Sequence, residues 1–152
     1  MRILLQRVKE AAVDIGGQER AGIGRGLLGL VGFAVGDTEL PAGDVWKKLA
    51  AKVIMLRIFP DQSGKLNLSL LDFGGRLILV PQFTLYADCR KGKRPGFSRA
   101  LPPEAAKGLF EAFVSEVAAM GCTPQTGVFG AEMDVRLVNW GPVTIILDSA
   151  EF

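Results

Sequence analysis

Histidine is missing from all 152 residues, and that absence removes more chemistry than any other feature of the composition. A Ser-His-Asp triad, a Cys-His pair and every histidine-containing zinc site are excluded. Catalysis here must use hydroxyls, carboxylates, backbone groups, cysteine, lysine or the substrate itself. Cysteine is scarce as well. Cys89 and Cys122 are the only two, they lack metal-ligand spacing, and without a secretory signal they are expected to stay unpaired. Cys89 remains open as the nucleophile of a thiol-dependent hydrolase, against the absence of an identifiable base to activate it. No apolar run approaches the roughly 18 residues needed to cross a membrane. The first residues, "MRILLQRVKEAAVDI", alternate and carry charge early, unlike the apolar core of a signal peptide. The expected location is cytoplasmic. Eighteen Lys and Arg against sixteen Asp and Glu leave a formal charge of +2, too small to argue for a nucleic-acid partner by itself, so the placement of the charges matters more than their sum.

What is present fits one globular α+β domain over residues 1–152. The length suffices for a sizeable core, and 49% hydrophobic against 22% charged residues excludes a disordered chain. Residues 2–8 and 11–15 read as extended, with Gly16-Gly17 as a turn. "GLLGLVGFAV" (26–35) is too rich in glycine for a helix and reads as a buried strand. From Pro41 the apolar residues Val45, Leu49, Val53, Ile54 and Leu56 recur at helical spacing, which predicts a helix over 41–57. The following stretch to Gly75 has turn chemistry. "RLILVPQFTLYAD" (76–88) reads as a strand interrupted by Pro81. "PPEAAKGLFEAFVSEVAAMG" reads as a helix that starts at its prolines and stops at Gly121. Strands are expected over most of 123–148.

Three segments carry candidate chemistry. In "PQFTLYAD", Thr84 offers a hydroxyl, and the backbone N–H groups near Phe83 and Thr84 offer an oxyanion hole at a strand end. Ordinary strand alternation, with Phe83 and Leu85 inward and Gln82 and Thr84 outward, accounts for the same residues. "DCRKGKRPGFSR" (88–99) holds Arg90, Lys91, Lys93, Arg94 and Arg99 against Asp88 in a glycine- and proline-rich loop. Its cations suit phosphates, and Phe97 suits packing or base stacking; a solvated surface loop is the plainer reading. The third, "VRLVNWGPVTIILDS", places Gly141 and Pro142 inside a good strand, where a proline belongs at an edge, a bulge or a deliberate turn.

Together and in this order these segments resemble the D-aminoacyl-tRNA deacylase family. Its motifs Ser-Gln-Phe-Thr-Leu and Asn-X-Gly-Pro-Val-Thr correspond to "PQFTL" (81–85) and "NWGPVT" (139–144). "LLQRVKEAAV", "LRIFPDQSGKLNLS", "DCRKGKRPGFS" and "TGVFGAEM" extend the similarity over nearly the whole chain. The resemblance implies a mostly antiparallel, barrel-like sheet packed with two main helices. It implies a homodimeric esterase that uses neither metal nor cofactor, binds no membrane, and has its active sites at the dimer interface. Its substrate would be D-aminoacyl-tRNA, with glycyl-tRNA mischarged on tRNA-Ala as a second one. By the same resemblance Gln82, Phe83 and Thr84 form the catalytic group. Gly141 and Pro142, joined by a cis peptide, form a chirality filter that reaches the partner's site. Arg7, Met133 and Asn139 support or bind substrate, and Arg90, Lys91, Lys93 and Arg94 meet tRNA phosphates. Pro81 departs from the usual serine and is similar to a related branch with relaxed chirality that clears L-alanyl-tRNA. Phe83 and "NWGPVT" follow the D-specific pattern. A tRNA-binding module without catalysis is the reading from another functional class.

Overall fold

Alternating apolar residues make the N-terminal segment one long strand, β1 (Arg2–Ile15), with Ile3, Leu5, Val8 and Val13 buried. The computed structural model describes residues 1–152. The two extended segments expected at 2–8 and 11–15 are therefore continuous. Gly16 and Gly17, both at positive φ, turn the chain into β2 (Gln18–Ile23), which continues past Gly24 as β3 (Gly26–Gly32). β2 runs antiparallel to residues 11–15 of β1, and β3 runs antiparallel to residues 2–8.

The helix expected over 41–57 begins later, as α1 (Asp44–Met55), because Pro41 belongs to a preceding 3-10 turn, Asp37–Ala42. The stretch read as loop up to Gly75 holds a small ribbon, β4 (Phe59–Pro60) with β5 (Leu66–Leu68), and the single-turn α2 (Leu70–Phe73). Ser69 and Asp72 form a reciprocal capping box on α2. β6 (Arg76–Pro81) then lies parallel to β3, and beyond α3 (Pro103–Ala119) the short β7 (Gln125–Thr126) lies parallel to β6. The last strand, β8 (Asp134–Asp148), takes the remaining edge of β1 in antiparallel register. The main sheet is thus mostly antiparallel, with a parallel corner at β3, β6 and β7.

The sheet curls until β2 meets β7, where the Gly22 N–H donates to Gln125 Oε1 at 2.7 Å. Val8, Val13, Leu28, Ile78 and Val80 fill the curl. A larger core lies between the sheet and the two main helices, around Phe33, Trp46, Leu49, Phe110 and Phe113. The fold is the α+β, barrel-like sheet with two main helices expected from the resemblance. Gly26 is required where β3 meets β6, since a Cβ there would stand 1.8 Å from the Arg76 carbonyl oxygen.

Phe113 is fully buried and meets Trp46 edge-on at 5.2 Å. Replacing Phe113 by Ala is expected to lower the unfolding free energy by about 3–5 kcal/mol, as for other buried aromatics. Urea denaturation measures it; a loss below ~1 kcal/mol would contradict the placement of this core.

Candidate active site

β6 ends at Pro81, which cannot donate to a ladder, and the chain leaves the sheet there. The expected strand over 76–88 is in fact a strand followed by a 3-10 turn, Phe83–Tyr86. Gln82 is the hinge. Its N–H donates to the Val31 carbonyl at 2.7 Å, and its side-chain Nε2 donates to Thr84 Oγ1. Strand alternation does not survive here, for Phe83 and Thr84 are both exposed. As the first residues of the turn, Phe83 and Thr84 carry N–H groups that have no partner inside it. The far end of the turn is clamped by Arg2, whose Nη1 donates to the Leu85 carbonyl at 3.1 Å while its Nε donates to Asp148 at 2.7 Å. The hydrogen bond to Asp148 raises the pKa of Arg2. Tyr86 lies under the Arg2 guanidinium at 4.8 Å. Burial first, then the carboxylates of Asp37 and Asp148, push its phenol well above the ordinary value, so it stays neutral.

A cavity of about 750 Å³ opens at this hinge. Pro81, Gln82 and Phe83 form one wall, Phe97, Leu101 and Ala106 a second, and Phe129, Gly130 and Met133 a third. Met133 is held in place, its Sδ accepting from the Val128 N–H at 3.3 Å. The lining is largely apolar, with Gln82 its one polar side chain, close to the usual make-up of a small-molecule site. Thr84 stands beside this lining rather than within it. A shallower groove of about 540 Å³ along β1, β2 and β8 holds Arg136 paired with Asp14 and Glu19; it contains none of the motif residues.

The second motif lies apart from the cavity. β1 and β8 pair as Gln6 with Thr144 and Val8 with Asn139, so Arg7 alone faces the four residues Trp140 to Val143. These residues bulge from the ladder, which is how a strand accommodates Gly-Pro. The Gly141–Pro142 peptide is cis, and both residues are exposed. Asn139 staples the bulge: its Oδ1 accepts from the Val143 N–H at 2.8 Å and its Nδ2 donates to Thr144 Oγ1 at 3.0 Å. Arg7, 6% exposed, donates from Nε to the Trp140 carbonyl at 2.8 Å and from Nη1 to the Ile58 carbonyl. Burial pulls its guanidinium pKa down. Gly141 has φ of +137°, and a Cβ there would sit 2.9 Å from Arg7 Nη2. No other residue fits behind the proline.

The basic loop is pinched shut by paired backbone hydrogen bonds between Asp88 and Gly96, at 2.7 and 2.9 Å. Arg90 folds back onto Asp88 at 2.6–2.8 Å and holds that carboxyl well below the usual carboxylate range. Lys91, Lys93 and Arg94 project without an anionic partner. Phe97 leaves the loop to meet Phe83 edge-on at 5.0 Å, at the cavity wall. Cys89 is exposed and Cys122 buried, both as free thiols; neither lines the cavity. The sequence had no means of placing Phe129 or the start of α3 at the cavity. Their only signals were the glycine after Phe129 and the paired prolines at 102–103.

The curled α+β sheet that carries the pocket and the basic loop has a fold known from solved structures. A c-Myc DNA unwinding element binding protein superposes with a TM-score of 0.89 at 36% identity, covering 97% of this chain and 98% of that one. A probable eukaryotic D-amino acid tRNA deacylase shares the fold, with a TM-score of 0.77 at 17% identity over 96% of this chain and 97% of that one. In sequence, the family described as D-Tyr-tRNA(Tyr) deacylase matches residues 4–148, a span that includes both motifs. The chain is 56% identical to the D-aminoacyl-tRNA deacylase of Solidesulfovibrio magneticus, over 99% of this chain and 97% of that one. It is 55% identical to that of Roseiflexus castenholzii, over 100% and 94%. The chain belongs to the D-Tyr-tRNA(Tyr) deacylase family.

Asn139→Ala removes both staples of the bulge and leaves the Val143 N–H without its acceptor. It is expected to cost about 1–2 kcal/mol of stability and to speed hydrogen exchange at the Val143 amide. Unchanged exchange there would contradict the role of Asn139.

Proposed function

We propose that this protein hydrolyses the ester bond of D-aminoacyl-tRNA, releasing the free D-amino acid and tRNA. The observation that carries the reading is the separation of two family motifs. One walls an apolar cavity, while the other stands exposed and braced on the same chain, away from that cavity. A homodimer reconciles them. The Gly141–Pro142 bulge of one protomer would enter the cavity of the other, and its backbone carbonyls would occupy the space an L-side chain needs. A D-side chain points elsewhere, so the selection works by exclusion. Glycine has no side chain to exclude, which makes glycyl-tRNA mischarged on tRNA-Ala a second substrate.

The chemistry asks for positioning rather than a strong nucleophile, because an aminoacyl ester is already activated. Water adds to the carbonyl carbon, the oxyanion is received by the free N–H groups of Phe83 and Thr84, and the bond to the 3′-oxygen of the terminal adenosine breaks. The proton lost by water ends on that 3′-oxygen, with the neighbouring 2′-hydroxyl assisting. Gln82 fixes the Thr84 hydroxyl. Its amide cannot accept a proton, so Thr84 has no base to make it a nucleophile and instead positions the ester. Met133 lines the adenosine end of the cavity. Lys91, Lys93 and Arg94, with Arg90 braced by Asp88, would receive tRNA phosphates. Such an enzyme works in the cytoplasm, where tRNA is charged, as a quality-control step of translation.

Pro81, a cavity residue, favours one second reading, a relaxed deacylase that also clears L-alanyl-tRNA. Single-turnover hydrolysis of D-tyrosyl-tRNA and L-tyrosyl-tRNA, with chelator present, separates the possibilities. Loss of only the D-ester is expected, and Pro142→Ala is expected to narrow the D/L rate ratio by ~10-fold or more, equivalent to ~1.4 kcal/mol. Comparable loss of both esters in the unaltered protein would favour the relaxed reading, and loss of neither would leave a tRNA-binding module. An unchanged ratio in Pro142→Ala would remove the filter.

A further inference from the structure

The residue just before Gly141 is held more tightly than a surface bulge requires. Trp140 turns its side chain inward against two stacked aromatics: Phe59 and Phe73 lie 4.7 Å apart at 15°, and the indole meets them at 6.4 and 5.9 Å. Two guanidinium groups lie over the same indole, that of Arg7 at 4.6 Å and that of Arg25 at 5.3 Å. Arg7 is buried, while Arg25 is exposed at the turn between β2 and β3. Arg7 has carbonyl partners only, so the negative face of the indole supplies part of the counter-field to its charge. The Trp140 carbonyl accepts from the same Arg7. Backbone and side chain of one residue are thus fixed by one arginine, with a second arginine closing the outer side.

We propose that Trp140 is a positioning residue for the Gly141–Pro142 bulge and that Arg25 is its outer clamp, so that the two set the sharpness of D/L discrimination without touching substrate. The inference rests on the reading of Gly141–Pro142 as the chirality filter. Its physical content is geometric. A filter that works by exclusion discriminates only as well as its carbonyls hold position, because a displacement of about 1 Å at a positioned site is costly. Loss of the indole removes the packing on Phe59 and Phe73 together with the cation–π contacts. Loss of Arg25 removes one exposed contact and leaves the core intact.

The test compares single-turnover rates on D- and L-tyrosyl-tRNA for the unaltered dimer and for Trp140→Ala, Trp140→Phe, Arg25→Ala and Pro142→Ala. Cooperative urea unfolding of each variant is followed in parallel. Trp140→Ala is expected to narrow the D/L ratio by ~10-fold or more, ~1.4 kcal/mol of discrimination, mainly through faster loss of the L-ester. Trp140→Phe is expected to recover most of the ratio, and Arg25→Ala to narrow it by a smaller factor at unchanged stability. If Trp140→Ala does not fold, Arg25→Ala carries the test alone. A ratio unchanged in Arg25→Ala, or in a folded Trp140→Ala, while Pro142→Ala narrows it, would overturn the positioning role. A ratio unchanged in Pro142→Ala would instead overturn the filter on which the inference rests.

Discussion

A buried guanidinium with no carboxylate to neutralise it governs the Gly-Pro bulge of this molecule. Arg7 sits in β1 where the ladder with β8 slips, and it faces four residues instead of one. Burying an unpaired charge is costly unless hydrogen bonds and fixed dipoles replace water. Here the Trp140 and Ile58 carbonyls and the Trp140 indole do so. The arginine and the bulge therefore stabilise each other. Without the bulge, Arg7 would lose its acceptors; without Arg7, the segment from Trp140 to Val143 would lose its floor. Asn139 closes the outer side by spanning the bulge to Val143 and Thr144.

The same device occurs twice in the sheet. At Pro81 a strand stops pairing, and the residues that follow turn outward to present Gln82, Phe83 and Thr84 beside a cavity. At Pro142 a strand leaves its ladder and returns to it. Each interruption exposes backbone groups that a regular ladder would consume, donors at the first and carbonyls at the second. Under the proposed function, such groups would serve a chain without histidine because they are fixed in place before substrate arrives. The long strand β1 links the two interruptions: Arg2 holds the Leu85 carbonyl, and Arg7 holds the Trp140 carbonyl.

The sequence made some of this legible. Helix α3 could be read from its prolines, its periodic Leu109, Phe110, Phe113 and Val117, and its terminal Gly121, since each signal acts locally. The start of α1 is not legible in the sequence, because Pro41 fits a helix N-terminus and a 3-10 turn equally well. The strand expected through residue 88 was wrong for a similar reason. "QFTLYAD" has strand composition, yet the Gln82 N–H makes the last ladder bond, to the Val31 carbonyl, and a 3-10 turn closed by the Ala87 N–H on the Thr84 carbonyl then carries the chain out of the sheet. Thr84, the basic loop and the Gly-Pro interruption stand out from the residues themselves, and their roles come from the resemblance. What lay beyond reach was their partners. Nothing local pairs Trp140 with Arg25 or Phe59, or Phe97 with Phe83, because those contacts depend on strand register and on where loops cross.

If the Gly-Pro bulge of one protomer filters the substrate of the other, mixed dimers reveal it. A protomer carrying Gln82→Ala and Thr84→Ala, first verified to have lost activity as its own dimer, is paired with a protomer carrying Pro142→Ala. The one working cavity then belongs to the Pro142→Ala chain, and the intact bulge belongs to its partner. Purified mixed dimers are predicted to hydrolyse D-tyrosyl-tRNA and to spare L-tyrosyl-tRNA as the unaltered protein does. Loss of the L-ester at the rate of the Pro142→Ala homodimer would place the filter and the cavity on the same chain and contradict the account.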